Sequence, residues 1–407
     1  MDACGVFESM AERQNPVRSA RQAEAAISVC VSIVTYNSRR FIGPCLDALL
    51  RQNAPPFEVV VVDNASTDGT PEVLASFGGR IRTIYNDRNI GFAAAQNQAI
   101  AFGKSSWVLT LNPDVLLLPG FIAELVRAGR HNDSVGTVCG KLLAIGSDLK
   151  PPPDSRIDSA GIYFTPAMRH FDRGWHQRDD GRFQHVEYVF GASAAAALYR
   201  REMIEDISAA GEFFDPDFFA YREDADVAWR GQLCGWTCLY IPAATAYHVR
   251  TMVPGNRGTV CARLNMHCVK NRFLMRVKNM TWGLYWRYWL PATLRDLVVI
   301  SGCLLYEPTS LPAFWHIAKS LRRAFQQRRL IMSRRRVDDR ALARWFRFQS
   351  QAARSACEDS TVVSQPPTSA SNESSSPKSR LERSIRNVHP NLLPAAVRQR
   401  NPRRLQS

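Results

Sequence analysis

The feature that most constrains this chain is a regular alternation of short apolar runs with amphipathic segments between residues 27 and 111. Short runs rich in Val and Ile predict buried strands, and apolar residues spaced by three and four predict helices. The strands are predicted at 27–35, 58–62, 81–85 and 107–111, and the helices at 39–52, from Thr70 onward, and at 92–102. This order predicts an α/β fold with a mostly parallel, Rossmann-like sheet flanked by helices.

A polar cluster follows each of the four predicted strands. The clusters are Thr35-Tyr36-Asn37, Asp63 to Gly69, Asn86 to Gly91, and Asn112-Pro113-Asp114. Turn chemistry alone would explain any one of them, since Asn, Pro and Asp are common turn formers. In parallel sheets, however, ligands bind outside the carboxyl ends of the strands. Four polar clusters at one edge therefore favour a binding site.

The usual glycine-rich phosphate loops are missing from this edge. No G-x-G-x-x-G follows the first strand, and no G-x-x-x-x-G-K-[ST] occurs anywhere in the chain. Dinucleotide dehydrogenases and P-loop nucleotide hydrolases are thereby disfavoured. If a diphosphate binds here, a divalent metal held by Asp114 would neutralise it, because Mg²⁺ and Mn²⁺ prefer carboxylate and phosphate oxygens.

A second acidic group opens a predicted helix at Glu223, Asp224 and Asp226. Acids at a helix N-terminus are favoured by the helix dipole, so this group has a purely structural alternative. Several aromatic side chains surround it and favour a site instead: Phe213, Phe214, Phe218, Phe219 and Trp236. Asp226 precedes Arg230 by four residues, a spacing that predicts an ion pair along the helix.

Charge and composition divide the chain. Of the net charge of +15, residues 311–407 carry +14, so the first 310 residues show no basic footprint for nucleic acid. We predict four segments: a flexible arm (1–26), a catalytic domain (27–280), a basic, aromatic-rich helical extension (281–350) and a disordered tail (351–407).

The extension suggests a membrane surface. Residues 282–306 are crowded with Trp, Tyr and Leu, but Arg287, Arg295 and Asp296 interrupt them, and no window reaches eighteen uninterrupted apolar residues. Aromatic side chains combined with Lys and Arg suit an interfacial helix on an anionic membrane. A helical cap on the catalytic domain is the alternative.

The cysteines indicate a reducing compartment. Ten Cys are scattered without a repeated paired spacing, which suits the cytoplasm better than a disulfide framework. A zinc site formed by Cys234, Cys238, Cys261, His267 and Cys268 is conceivable, although the C-x-x-C spacing typical of structural zinc is missing.

Six motifs in order now carry a resemblance to a known family. They are VSIVTYN, VVVVDNASTDGT, DRNIGFAAAQN, LNPDV, GEFFDPDFFAYREDADVAWRGQLCGW and AYHV. Together they resemble glycosyltransferase family two, whose members are nucleotide-sugar enzymes of the GT-A fold. The Asn-Pro-Asp form and the Asn-x-Gly-Phe segment look most like its bacterial rhamnosyltransferase branch. The resemblance covers about Ile27 to Val249.

The resemblance implies a nucleotide-sugar site at the predicted edge. Thr35, Tyr36, Asn37 and Asp63 would contact the base and ribose, Arg88, Asn89 and Gly91 would lie near the nucleotide-sugar, and Gly191 would line the sugar pocket. Asn112-Pro-Asp114 stands at the family's Asp-x-Asp position, so Asp114 would bind a Mg²⁺ or Mn²⁺ ion, with His248 as a second ligand. Asn112 replaces the first acid of that motif and removes one carboxylate.

The resemblance also implies the chemistry. Asp224, beside Glu223, would be the general base, and a single displacement would invert the anomeric centre. We expect transfer of rhamnose or another hexose from a nucleotide-diphosphate sugar to a glycan or lipid-linked acceptor, on the cytoplasmic face of the cell membrane. The alternatives are a catalytically silent nucleotide-sugar binding protein, prompted by Asn112, and a nucleotidyltransferase, for which TYNSRRF is a poor nucleotide loop.

Overall fold

The computed structural model of the chain describes residues 29–250 and 262–346. The predicted arm (1–26) and tail (351–407) lie outside these ranges. The strands are β1 (Val29–Thr35), β2 (Phe57–Asp63), β3 (Arg82–Tyr85), β4 (Trp107–Leu111), β5 (Val115–Leu117), β6 (Val135–Ala144), β7 (Ile157–Ser159), β8 (Ile162–Phe164), β9 (His170–Asp172), β10 (Glu187–Val189), β11 (Ala196–Arg200) and β12 (Thr237–His248). The helices are α1 (Arg39–Leu50), α2 (Thr70–Ser76), α3 (Phe92–Phe102), α4 (Phe121–Gly129), α5 (Arg201–Ile207), α6 (Glu223–Leu233), α7 (Ala262–Asn279), α8 (Trp282–Leu305), α9 (Pro312–Ser333) and α10 (Asp339–Ala343).

One ten-stranded sheet forms the centre of the molecule. Its order is β10-β12-β6-β11-β4-β1-β2-β3, with β5 paired to β12 and β7 paired to β6. Strands β4, β1, β2 and β3 run parallel, as the alternation of strands and helices predicts. In the second half, β11 is antiparallel to both β4 and β6, and β12 is parallel to β6. The α/β class is confirmed, and the parallel pattern belongs to the first four strands.

Helices cover both faces of this sheet because alternate strand residues point to opposite sides. Val31 and Ile33 of β1 pack with α1, α2 and α4 in one core. Cys30 and Val34 of the same strand pack with α3, α5 and α6 in a second core. Strand β1 is therefore buried on both faces, which explains its continuous apolar sequence.

The predicted polar edge is present. Thr35 at the end of β1 pairs with Asp63 at the end of β2, and Asp63 in turn pairs with Tyr85 at the end of β3. Ile33 of β1 pairs with Leu111 at the end of β4. The four loops that carry the polar clusters consequently leave the sheet side by side.

The C-terminal helices share a core with the catalytic part of the chain. Phe164 of β8 and Trp229 of α6 pack with Leu284 of α8 and with Phe346. The ring centroids of Phe164 and Phe346 lie 5.4 Å apart. The boundary predicted at residue 280 thus divides residues that pack together, and the extension is joined to the catalytic part over its described length.

Helix α8 is kinked near its start. Tyr288 has non-helical backbone angles, and Pro291 lies three residues further on. A proline inside a helix removes a backbone hydrogen bond and clashes with the preceding turn, which explains the kink. Within the described residues, α8 is the one helix that is long and apolar enough to cross a membrane, judged by length and composition alone.

Candidate active site

The loops after β1 and β2 are tied together by side-chain hydrogen bonds. The Asn37 backbone N–H donates to Ser66 Oγ at 2.8 Å, and Asn37 Oδ1 accepts from the Thr67 N–H at 2.8 Å. Asp63 accepts from the Ser66 N–H at 3.0 Å and is buried. Between these fixed residues, Tyr36 is half exposed. The edge therefore offers an aromatic face beside a buried carboxylate, which is suited to a base and a ribose.

The loop after β3 joins the same network. Asn64 Nδ2 donates to the Gly91 carbonyl at 3.3 Å, and Asn86 Nδ2 donates to Asn64 Oδ1 at 2.9 Å. Asn89 Oδ1 accepts from the Gly91 N–H at 2.9 Å. Arg88, in the same loop, is exposed. The three loops that carry the predicted nucleotide-site residues are thus joined by side-chain hydrogen bonds, with Thr35 and Asp63 buried and Tyr36 and Arg88 exposed.

Two glycines of the predicted site have packing roles of their own. Gly91 has a φ of +89°, and an added Cβ would lie 2.6 Å from the ring of Phe219. At Gly191 an added Cβ would lie 2.2 Å from Cβ of Ala228 in α6. Both positions require glycine without any ligand, so a donor contact at either one stays a prediction.

The predicted metal ligands meet where β12 passes β5. Val115 pairs with His248 in this antiparallel ladder, and the Val249 N–H donates to the Asp114 carbonyl at 3.1 Å. His248 Nε2 consequently lies 3.4 Å from Asp114 Oδ1. Asn112 lies two residues before Asp114, and its N–H donates to the Ala195 carbonyl at 2.8 Å.

A chain of charges runs from this pair toward the second acidic group, and sequence reasoning missed three of its members, Asp158, Arg250 and Asp172. His248 Nδ1 lies 2.7 Å from Asp158 Oδ2. The Arg250 guanidinium joins Asp158 Oδ1, at 2.6 Å from Nε, to Asp172 Oδ2, at 2.6 Å from Nη2. The order is therefore Asp114, His248, Asp158, Arg250 and Asp172. The ion partners of Arg250 lie 92 and 78 residues away in sequence, so no local motif indicates them.

These contacts shift the proton affinity of both predicted metal ligands. Burial alone would raise the pKa of Asp114, but the hydrogen bond and charge of His248 hold it below its usual range. Burial alone would lower the pKa of His248, yet the charge of Asp158 and the hydrogen bond with Asp114 raise it to about 10.

The donor set fits a divalent metal that is completed by substrate. No group of three or more His, Cys, Asp or Glu side chains arranged to hold a metal occurs within residues 29–250 and 262–346. Mg²⁺ and similar ions, however, are commonly held by one or two protein ligands together with phosphate oxygens. A carboxylate on Nδ1 orients many metal-binding imidazoles, and the contact of His248 Nδ1 with Asp158 leaves Nε2 facing Asp114. Asp114 is therefore a suitable ligand, and His248 would be one once it releases the proton that Asp114 and Asp158 hold on it.

Glu223 and Asp224 are the first residues of α6, and their surroundings raise the pKa of both carboxyl groups. Glu223 is buried, and its Oε2 has no hydrogen-bond partner among the described residues. Burial and the neighbouring Asp224 charge raise the pKa of Glu223. Burial and the charge of Asp172 raise the pKa of Asp224, while the N–H groups of Ala225 and Ala194 oppose that rise. Asp172 thus joins the metal-side chain of charges to the predicted base.

Asp226, two residues further on, is fully enclosed by partners. It contacts Arg230 Nε at 2.9 Å, Lys278 Nζ at 2.9 Å and Asn279 Nδ2 at 2.7 Å. The predicted pairing with Arg230 is confirmed. Lys278 also contacts Asp215 at 2.7 Å, which ties α6 and α7 to the preceding loop. Asp226 thus holds elements together and is not available to a substrate.

The cysteines of the described ranges are free thiols. Cys234 and Cys238 are both buried, and Cys238 lies beside Cys139. They belong to the second core rather than to a metal centre. Cys261, the other member of the conceivable zinc site, lies outside the described residues.

Two solved structures resemble this chain at low identity. The mannosyltransferase PcManGT from Pyrobaculum calidifontis, in complex with GDP-Man and Mn²⁺, is 18% identical, with a TM-score of 0.44 over 75% of this chain and 85% of that one. Staphylococcus aureus TarS is 16% identical, with a TM-score of 0.48 over 76% of this chain and 52% of that one.

Sequence comparison identifies the family. An N-acetylglucosaminyl-diphospho-decaprenol L-rhamnosyltransferase of Mycobacterium tuberculosis is 26% identical over 301 residues, which cover 68% of this chain and 92% of that protein. A putative glycosyltransferase of Bacillus subtilis, EpsH, is 25% identical over 48% of this chain and 55% of its own length. Residues 30–208 match the family model described as Glycosyl transferase family 2. This chain thus matches glycosyl transferase family 2 over residues 30–208 and resembles the bacterial rhamnosyltransferases.

Proposed function

We propose that this glycosyltransferase is an inverting enzyme that moves a hexose from a nucleotide-diphosphate sugar to an acceptor hydroxyl. The observation that carries the proposal is the chain of contacts from Asp114 and His248, through Asp158, Arg250 and Asp172, to the neighbourhood of Asp224. It supports one cleft in which a group suited to a leaving diphosphate faces a group suited to removing a proton.

The donor half of the site would hold the nucleotide and its diphosphate. Tyr36 and Asp63 are placed to contact the base and ribose at the sheet edge. Asp114 and His248 would hold a Mg²⁺ or Mn²⁺ ion, with the amide oxygen of Asn112 within the same turn. When bound, such an ion stabilises the negative charge that develops on the departing diphosphate.

The acceptor half of the site would supply the base. Asp224 would accept the proton of the acceptor hydroxyl at a carboxylate oxygen while that hydroxyl attacks the anomeric carbon. The bond from the anomeric carbon to the diphosphate oxygen breaks as the new glycosidic bond forms, and the nucleotide diphosphate leaves. One displacement from the opposite face inverts the anomeric centre, and no covalent enzyme intermediate is needed.

The substrates follow from the relatives. Rhamnose is the first donor sugar to test, because the Mycobacterium tuberculosis relative is a rhamnosyltransferase whose printed name includes a lipid-linked acceptor. We propose a lipid-linked or cell-envelope glycan as acceptor, with the protein peripheral on the cytoplasmic face of an anionic membrane. A silent nucleotide-sugar binding protein remains the alternative that Asn112 favours.

Release of nucleotide diphosphate by the purified full-length protein tests this proposal. A panel of nucleotide-diphosphate sugars, with and without Mn²⁺ or Mg²⁺, should give release with at least one donor, and excess chelator should abolish it. Asp114→Ala should abolish release as well, whereas Asp154→Ala, at an exposed ion pair, should not. Donor binding without release from any donor would support the silent binding protein, and full activity in chelator would exclude the metal role.

A further inference from the structure

Helix α8 presents a continuous apolar stripe to the solvent. Its exposed large apolar residues are Trp282, Tyr285, Trp286, Trp289, Leu290, Leu294, Leu297, Val298, Leu304 and Leu305. They recur at intervals of three and four residues, so they share one face of the helix. Trp282, Trp286 and Leu305 are each about 70% exposed. Exposed apolar surfaces of this extent mark an interaction site rather than ordinary protein surface.

The opposite face of α8 is fixed to the protein. Leu284, Tyr288 and Ala292 are buried in the core shared with α6 and α7. Asp296 forms ion pairs with Arg272, at 3.1 Å, and with Arg276 of α7. One face of α8 is thus packed on the catalytic part of the chain, which favours a helix that lies along a membrane surface, although its length and composition alone would allow it to span a membrane.

The composition of this face identifies the surface as a lipid interface. Trp and Tyr occupy the first half of the stripe and Leu and Val the second half, and Trp and Tyr are the side chains enriched where a membrane meets water. Neighbouring α9 exposes Trp315 and Phe325 together with Lys319, Arg322 and Arg329. The Lys319 ammonium lies 4.8 Å from the centre of the Trp315 ring.

The charges on α8 and α9 favour an anionic lipid surface. Between residues 282 and 337 the chain has ten Lys and Arg but two acids, Asp296 and Glu307. Asp296 is neutralised by its two arginines. Arg323, Arg335 and Arg336 are paired with carboxylates of the protein, whereas Arg287, Lys319, Arg322 and Arg329 are exposed. The exposed cations complement an anionic bilayer, since each cation near such a surface adds to the attraction.

We propose that the α8 stripe, defined as the ten residues named above, docks in the plane of an anionic bilayer and does not span it. The same helix is braced against the catalytic half. Arg272 contacts Asp296 and also the Ala167 carbonyl, at 3.1 Å, in the turn between β8 and β9. His170, which begins β9, contacts Arg222 at 2.9 Å, immediately before Glu223 and Asp224. The docking surface thus reaches the start of α6 through three side-chain contacts, and its binding to lipid requires no catalysis.

Vesicle binding by the full-length protein tests the stripe. The probes are vesicles of phosphatidylcholine with one-third phosphatidylglycerol and vesicles of pure phosphatidylcholine. Trp286→Ser/Leu294→Ser/Leu297→Ser should weaken binding to the anionic vesicles by more than about tenfold, because affinity scales with the apolar area buried. The matched control is Tyr85→Ser/Phe102→Ser/Leu118→Ser, which removes three exposed apolar side chains elsewhere. The control should bind within about twofold of the unchanged protein, as its residues lie outside the lipid-facing surface.

Three results would overturn the proposal. The first is binding of the stripe variant to vesicles equal to that of the control, and the second is failure of the unchanged protein to bind anionic vesicles. The third is conversion of a dimer to a monomer in the stripe variant, which would identify the stripe as a contact between two copies. Nucleotide release is also measured in vesicle-free buffer. Equal release by the stripe variant and the control shows that the fold is intact, so a loss of vesicle binding can be distinguished from a loss of the proposed activity.

Release from the membrane distinguishes docking in the plane from spanning. A docked helix with a basic rim should be displaced from anionic vesicles at about 1 M NaCl, where charges are screened beyond about 3 Å. Protein that stays bound through both high salt and alkaline carbonate washing would indicate a spanning anchor and would contradict the in-plane geometry.

Discussion

Asp224 and Asp226 lie two residues apart at the start of α6, yet their surroundings are opposite. Asp226 is buried and contacts Arg230, Lys278 and Asn279. Asp224 has a further acid, Asp172, close enough to raise its pKa. A carboxylate surrounded by cations is stabilised in its charged form, whereas one beside other acids is ready to take up a proton. The comparison teaches that the acid on which a neighbouring acid acts more strongly than any cation is the candidate base, although the fully paired one is the more deeply buried.

The largest difference between the two acids should appear in stability. Asp226→Asn leaves Arg230 and Lys278 buried without their shared countercharge, and we expect it to lower the free energy of unfolding by roughly 3 kcal/mol. Asp224→Asn should be neutral or stabilising at pH 7. The folded pKa of Asp224 is raised above its unfolded value, so its ionised form costs stability there, and the substitution removes that cost. Urea unfolding of both variants measures the difference, and equal losses would contradict the comparison.

The sequence predicted the fold class and the pairing of Asp226 with Arg230. The strand and helix alternation from 27 to 111 and the polar edge are local patterns, and the spacing of Asp226 and Arg230 is one helical turn. Asp158, Asp172 and Arg250 were missed because they lie in β7, in β9 and just after β12, so that only the tertiary fold brings them together.

The strand order in the second half of the sheet and the packing role of Gly191 could not be predicted from the sequence either. Strand β11 lies antiparallel between β4 and β6. The alternation of side chains along a strand predicts the strand itself but not which strands it pairs with. The contact of Gly191 with Ala228 depends on how α6 packs on the sheet. By contrast, the exposed stripe of α8 follows a helical spacing that the sequence contains, but only the packing of Leu284 and Tyr288 shows which face is outward.

Asp158 provides a test of the proposed metal ligands. Asp158→Asn would remove the carboxylate that orients His248, and we expect a roughly 10- to 100-fold higher Mn²⁺ concentration for half-maximal turnover. The matched control, Asp154→Asn, removes an exposed carboxylate whose ion pairs are at the surface and should leave the Mn²⁺ requirement unchanged. An unchanged requirement in Asp158→Asn would show that His248 is not a metal ligand.

The pH profile provides the smallest but most specific effect. Burial and the charge of Asp172 raise the pKa of Asp224 to about 6. A general base works in its ionised form, so turnover should rise with pH through about 6 rather than near 4. Asp172→Asn removes the repelling charge and should move this limb to lower pH. A limb that stays in place in Asp172→Asn would assign it to another group.

The most direct test of the account compares turnover in Asp224→Asn and Asp226→Asn, per folded molecule and at saturating donor. Nucleotide-diphosphate release measures turnover, and calorimetry measures donor affinity. Asp224→Asn should lower turnover by roughly 10²–10⁴ with donor affinity little changed, the usual loss when a general base is removed. Asp226→Asn should retain most of its turnover. An inactive Asp226→Asn beside an Asp224→Asn with near-normal turnover would contradict the assignment of the base.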